Sequence, residues 1–203
     1  MRPVRSTTPR NMVKEYFAGF DLSLTASGII VIDSEGTVVV RGVIKSKTVG
    51  AERLNDIQNA VRSMLSGYAI KSVCIEGYSM GFGAGKKVGA EGAACAPMGR
   101  LANLGELGGV IRLLLFRLGV PYKEIAPTSV KKYATGKGQG PKDQITMYVY
   151  KNWKFEPKDN NEADAYVLAR MALSLNGYGG SLIKEQQETI NVIKNPKPKG
   201  KKG

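Results

Sequence analysis

Three acids stand where a carboxylate could do chemistry: Asp21, Glu76 and Asp164. Asp21 follows the apolar aromatic run Tyr16-Phe17-Ala18-Gly19-Phe20, which has the length and composition of a buried strand. Glu76 ends a second run of that kind, Ser72-Val73-Cys74-Ile75. Asp164 lies on a helical stripe continued by Leu168, Met171 and Leu175, on the side that helix buries. A carboxylate in such a place is costly unless something cationic meets it. Paired strands lie about 4.8 Å apart, so Asp21 and Glu76 converge if their strands are neighbours, and that spacing suits a shared divalent cation. Taken alone, Asp21 reads equally as a strand-ending residue that caps a turn. Asp159 and Glu162 have capping-box spacing, which gives both structural work at a helix start. Asn161, about one turn before Asp164, can offer it an oxygen or a hydrogen bond. The chain has no histidine, which removes His-dependent nuclease chemistry and fits a site made of carboxylates.

The elements that position these acids read as a mixed α/β domain. Strands over 16–21, 28–33 and Thr37–Ile44, with the turn Asp33-Ser34-Glu35-Gly36, are close enough in sequence to pair antiparallel. Leu54, Ile57, Val61, Met64 and Leu65 mark a helix over 51–66 that Gly67 would close. That helix permits a crossover which brings the strand ending at Glu76 beside the first. Residues 77–93 form a glycine-rich loop carrying Tyr78, Phe82, Lys86 and Lys87, suited to probing nucleic acid or simply to a surface loop. Leu101, Leu104, Gly108, Ile111, Leu115 and Leu118 describe a helix that covers the sheet, or with Gly105, Gly108 and Gly109 admits a partner helix. Val120–Ile125 is an edge strand. It leads through Pro127-Thr128-Ser129 into a cationic loop with Lys131, Lys132, Lys137 and Lys142, whose Pro141 starts a helix. Phosphate binding is the natural use of that loop, a solvated turn the plain one. Lys142 is followed by Asp143, so this is no Walker A loop and no nucleotide cofactor is expected.

The 203 residues suit one domain, and a net charge of +13 points to a polyanionic partner, most simply nucleic acid. Residues 1–15 read as a basic arm of charge +3, 16–183 as the folded unit, and 184–203 as a basic disordered tail of charge +4. Cys74 and Cys95 lack the spacing of a zinc site or disulfide framework, so a reducing cytoplasm is the default compartment. No stretch is apolar enough to span a bilayer, and no membrane association is expected.

Gly19-Phe20-Asp21-Leu22-Ser23, Ile75-Glu76, Pro127-Thr128 through Lys142, and Glu162-Ala163-Asp164-Ala165 together resemble the RuvC-type Holliday junction resolvases. The resemblance runs from about Phe17 to Ala172, and it implies an RNase H-like fold, a five-stranded mixed sheet flanked by helices. It further implies a homodimer that cuts opposing strands of branched DNA at four-way junctions, using two Mg2+ (or Mn2+) ions per site. Carried over by position, Asp21 would bridge the ions, Glu76 and Asp164 would be further ligands, and Lys142 would contact DNA near the scissile phosphate. Asn161 stands where the family places an acid or a histidine, so the fourth ligand is a neutral oxygen there, or the task passes to Asp159 or Glu162. Ser79 stands where an aromatic is expected, with Tyr78 and Phe82 to either side, which implies a structure-selective enzyme with little base preference. The long insertions and basic ends resemble phage-encoded members, whose compartment is the bacterial host cytoplasm. Two other activities share the same acids: an RNase H-like nuclease on RNA or an RNA-DNA hybrid, and a catalytically weak junction-binding protein.

Overall fold

A computed structural model of the chain describes residues 14–77, 98–138 and 144–196. Five strands make one sheet: β1 Tyr16–Asp21, β2 Ser27–Asp33, β3 Val38–Ile44, β4 Ile70–Glu76 and β5 Tyr122–Ile125, in the order β3-β2-β1-β4-β5. β1, β2 and β3 pair antiparallel as the short turns require, whereas β4 pairs parallel to β1 and β5 parallel to β4. The parallel crossovers are made by α1 (Gly50–Leu65) and α2 (Met98–Arg117), and α3 (Pro127–Thr135), α4 (Gln144–Trp153), α5 (Asn160–Leu175) and α6 (Lys184–Lys194) follow. Gly67, at φ +84°, takes the left-handed conformation that closes α1.

The sheet is covered on both faces, and alternation along each strand decides which residue goes where. Ala18, Phe20, Ile29, Val31, Val73 and Ile75 pack with α1 and α2. Phe17, Ile30, Ile32 and Cys74 pack with α3, α4, α5 and α6. Continuing each strand by two residues from Gly19 and Cys74 sends Asp21 and Glu76 to that second face, together with Gly28, the cross-strand partner of Asp21. The side of the sheet on which the acids lie is therefore set by a pattern of period two.

α5 lies directly on that face because two glycines let it. A Cβ on Gly19 would come 2.0 Å from the Ala165 carbonyl oxygen and 2.2 Å from the Ala169 nitrogen. One on Gly28 would come 2.2 Å from the Asn161 carbonyl oxygen. Backbone meets backbone at both points, so nothing flexible can move aside. Gly19→Ala is expected to destabilise the fold by about 3 kcal/mol or more and to lower Tm by roughly 10 °C. A thermal melt giving a change of under about 1 kcal/mol would show that α5 can ride up without cost.

Three expectations from the sequence are corrected. The cationic loop from Val130 is largely the helix α3, whose buried Val130, Tyr133 and Ala134 make an apolar stripe that the lysines obscure, and which Gly136 ends at φ +78°. The tail from Lys184 begins with the helix α6, which buries Gln186, Thr189 and Ile190, so the folded unit extends beyond residue 183. Just before β1, Lys14 pairs with Asp33 at 2.9 Å and Glu15 with Lys71 at 2.8 Å. On α2 the inward stripe is Leu104, Leu107, Ile111, Leu114 and Leu115, while Leu118 is 42% exposed. Residues 1–13, 78–97, 139–143 and 197–203 lie outside the described part; Tyr78, Phe82, Lys86, Lys87, Cys95, Pro141 and Lys142 are among them.

Candidate active site

Asp21 and Glu76 end adjacent parallel strands one step beyond the paired Phe20 and Ile75. Their carboxyl groups lie within hydrogen-bonding reach of each other, a contact that favours keeping a proton on the pair. Burial, the Glu76 charge, that hydrogen bond and the Asp159 charge push Asp21 up to about 8, far above an ordinary aspartic acid. Glu76 is also raised, by burial and by the charge of Asp164, while the bond from Asp21 and the charge of Lys131 act the other way. Burial and mutual repulsion thus hold the coupled pair back from full ionisation at neutral pH.

The N-terminal part of α5 closes this site from above. Asp159 is its N-cap, with Oδ1 accepting the Glu162 N–H at 2.9 Å, as the capping spacing required. Glu162 is 2% exposed and committed elsewhere: its carboxylate pairs with Arg41 and accepts the Lys158 N–H at 2.9 Å. It is not available as a replacement ligand. Asp159 is close enough to oppose the ionisation of Asp21, and Asp164 close enough to oppose that of Glu76. Asn161 is placed by its backbone, seated over Gly28 next to Asp21. Among the described residues no three acidic, thiol or imidazole side chains are gathered closely enough to be a complete ligand set. The sheet closes a pair, and Asp164 and Asp159 act on it across a short space, as expected of like charges that repel.

The donor chemistry fits a hard divalent cation. All candidate ligands are oxygens, the chain has no histidine, and the repulsion that holds a proton on Asp21 is what a 2+ charge relieves. Burial raises the Cys74 thiol to about 12, so it offers no thiolate.

Of the predicted DNA-binding lysines, Lys131 on α3 is near Glu76, and Lys137 is exposed just beyond that helix. Lys132 is drawn away into an ion pair with Glu188 of α6 at 3.0 Å. Sequence reasoning missed Arg41 and the two glycines under α5; a glycine inside an apolar strand was the available signal for a close approach. A cleft of about 520 Å³ lies at the start of β4, far from the acids.

A five-stranded mixed sheet flanked by helices, with acids at the ends of two central strands, defines an RNase H-like protein. Comparison narrows the class. The chain matches the family described as crossover junction endodeoxyribonuclease RuvC over residues 17–172. The RuvC of Rhodopirellula baltica is 30% identical over 167 residues, covering 79% of this chain and 84% of that one. That of Sorangium cellulosum is 28% identical over 165 residues, 81% and 78% of the two chains. Among solved structures, Thermus thermophilus RuvC superposes with a TM-score of 0.58 at 22% identity, covering 76% of this chain and 90% of that chain. This chain belongs to the RuvC family of crossover junction endodeoxyribonucleases. No helix among the described residues is long and apolar enough to cross a membrane.

Proposed function

We propose that this protein is a divalent-metal-dependent endonuclease that hydrolyses phosphodiesters in symmetrically related strands of four-way DNA junctions. The observation that carries the reading is the carboxyl pair Asp21–Glu76, held on adjacent strand ends beneath α5, in a chain of this family. A T. thermophilus RuvC solved with a Holliday junction substrate has the same fold, with a TM-score of 0.56 at 20% identity. Asp21, Glu76 and Asp164 would hold two Mg2+ or Mn2+ ions, with Asn161 giving a neutral oxygen and Asp159 the nearest spare carboxylate. Such ions supply Lewis-acid stabilisation of the developing phosphate charge and lower the pKa of water.

The chain's own groups do the rest. Asp21 gives up its proton as the site loads, so occupancy rises with pH. Lys131, beside Glu76, brings positive charge to the place where the scissile phosphate must come. Lys142 would contact the same phosphate, and Tyr78 and Phe82 would stack on unpaired bases at the branch, with Lys86, Lys87 and Lys137 on the backbone. The test is cleavage of a synthetic four-way junction beside a linear duplex and an RNA-DNA hybrid, in Mg2+, Mn2+ and EDTA. Junction-selective cutting that EDTA abolishes is expected; cutting of the hybrid alone would make it an RNase H-like enzyme of different substrate.

Symmetric cutting needs two copies, and α2 offers the surface. Its outer side exposes Phe116 by 78% and Leu113 by 45%, and among the described residues nothing lies within 4 Å of a Cβ placed on Gly105 or Gly109. A second α2 can approach closely there. Phe116→Glu is expected to turn a dimer into a monomer by sedimentation at micromolar concentration, with little loss of Tm. A native chain that sediments as a monomer would remove the homodimer.

A further inference from the structure

Immediately after Asp21 the chain makes a turn locked by hydroxyls. Ser23 Oγ accepts the N–H of Thr25 at 3.3 Å and of Ala26 at 3.5 Å, and lies 3.1 Å from Thr25 Oγ1. Ser27 Oγ donates to the Ser23 carbonyl at 2.7 Å and accepts the Ser23 N–H at 3.0 Å. This turn is one wall of an open cleft of about 400 Å³ lined by Leu22, Ser23, Leu24, Thr25, Arg53 and Leu104. The cleft is distinct from the acid site: Leu22, Leu24 and Leu104 belong to the α1–α2 side of the sheet, whereas Asp21 is directed to the α5 side. Among the described residues no carboxylate lines it.

Arg53 enters from the first turn of α1, and its Nε donates to the Thr48 carbonyl at 2.6 Å. Among the described residues no hydrogen bond or ion pair engages its two Nη nitrogens. An arginine pinned by Nε has already lost most of its rotamer freedom, and its remaining donors form a planar fork that matches a phosphate. Aliphatic walls beside such a fork suit the sugar and base that belong to that phosphate. Ser23 is two residues from Asp21, at most about 7 Å of chain, a reach on the scale of one nucleotide.

We propose that this cleft is a nucleotide subsite of the nuclease. The strand being cut passes from the Asp21–Glu76 pair over the end of β1 into the cleft. There Arg53 grips the phosphate next to the scissile one, and Leu22, Leu24 and Leu104 pack against its sugar and base. The contact reads no base edge, so it positions the strand without selecting sequence. The proposal rests on the nuclease reading above.

Binding of a synthetic four-way junction in EDTA, measured from 50 to 200 mM salt for the native chain, R53Q, R53K and L24E, tests it. R53Q is expected to bind about tenfold more weakly, with a log-log salt slope shallower by about 0.9 per lost phosphate contact. R53K should keep the slope and recover only part of the affinity, because it restores the charge without the fork. With metal present, R53Q should raise KM for junction cleavage more than it lowers kcat. An unchanged slope and KM in a folded R53Q would overturn the subsite and leave Arg53 as a staple between α1 and Thr48. Should R53Q fail to fold, L24E decides: it leaves the bond to Thr48 intact and puts a carboxylate against the fork, so tenfold weaker binding supports the subsite and unaltered binding overturns it. A native chain that binds no junction at all would overturn the nuclease reading with it, whereas the R53Q result alone touches only the subsite.

Discussion

Asp21→Asn is expected to abolish junction cleavage, by a factor on the order of 10³ or more, and at the same time to stabilise the metal-free protein. The two effects have one cause. Asp21 is raised to about 8 by burial and by the charges of Glu76 and Asp159, so the folded chain holds a proton that the unfolded chain gives up near pH 4. For an acid raised in this way the folded state carries no penalty below the unfolded pKa. The penalty grows as pH climbs through the interval between the two values and is complete above about 8. In EDTA the native chain should therefore lose stability between about pH 4 and pH 8, and Asp21→Asn should lose less. At pH 8 the variant is expected to melt about 5–10 °C higher, a gain on the order of 2–4 kcal/mol. Saturating Mg2+ should narrow that gap by raising the native Tm alone. Melts that run parallel in both proteins across this pH range would mean that Asp21 is ionised without cost, and would remove the argument for a site waiting on a cation.

Arg41→Ala should be the most damaging single change away from the acids. Glu162 is 2% exposed and takes Arg41 at both oxygens, Nε lying 3.4 Å from Oε1. The same guanidinium donates to the Glu156 carbonyl at 3.3 Å and sits 4.9 Å above the ring of Phe155. One side chain on β3 thus fastens both the segment leading into α5 and the first turn of that helix. Truncation leaves a buried carboxylate with only the Lys158 N–H and the helix terminus to oppose its charge. A loss of about 2–4 kcal/mol is expected, below the full cost of breaking a buried pair because Arg41 is partly in water, and Tm should fall by roughly 5–15 °C. Adding Glu162→Gln should return a good part of it. Cleavage, measured where both proteins are folded, should also fall, because Asp159, Asn161 and Asp164 ride on the part of α5 that Arg41 holds. A variant that melts like the native chain would show that the helix terminus alone holds Glu162.

Much of this was legible in the sequence, and for physical reasons. Strand runs that are apolar on both faces, with an acid as the last residue, announced β1 and β4 and placed Asp21 and Glu76 at their ends. The capping spacing of Asp159 and Glu162 fixed where α5 begins. α3 was read as a loop because its lysines and its glycine exit at Gly136 dominate the local composition, although Val130, Tyr133 and Ala134 keep helical spacing. α6 was hidden by the same bias: a helix with one buried turn looks like a solvated tail until α3 is there to receive Ile190. The partner of Glu162 was not legible at all, since Arg41 lies 121 residues away in a strand on the far side of β2 from the acids. The cleft at Arg53 depends equally on α2 arriving beside the turn after β1, which no local pattern encodes.

The contact of α5 with Gly19 and Gly28 has a consequence for how the active site can vary. The helix is located by main chain resting on main chain, so the coordinates of position 161 are set by its carbonyl over Gly28 and owe nothing to its side chain. An amide, a carboxylate or an imidazole could stand there on an unchanged frame. If the proposed site holds metal, its preference and affinity would thus be open to retuning by single substitutions at that position, while the two glycines beneath admit no substitute.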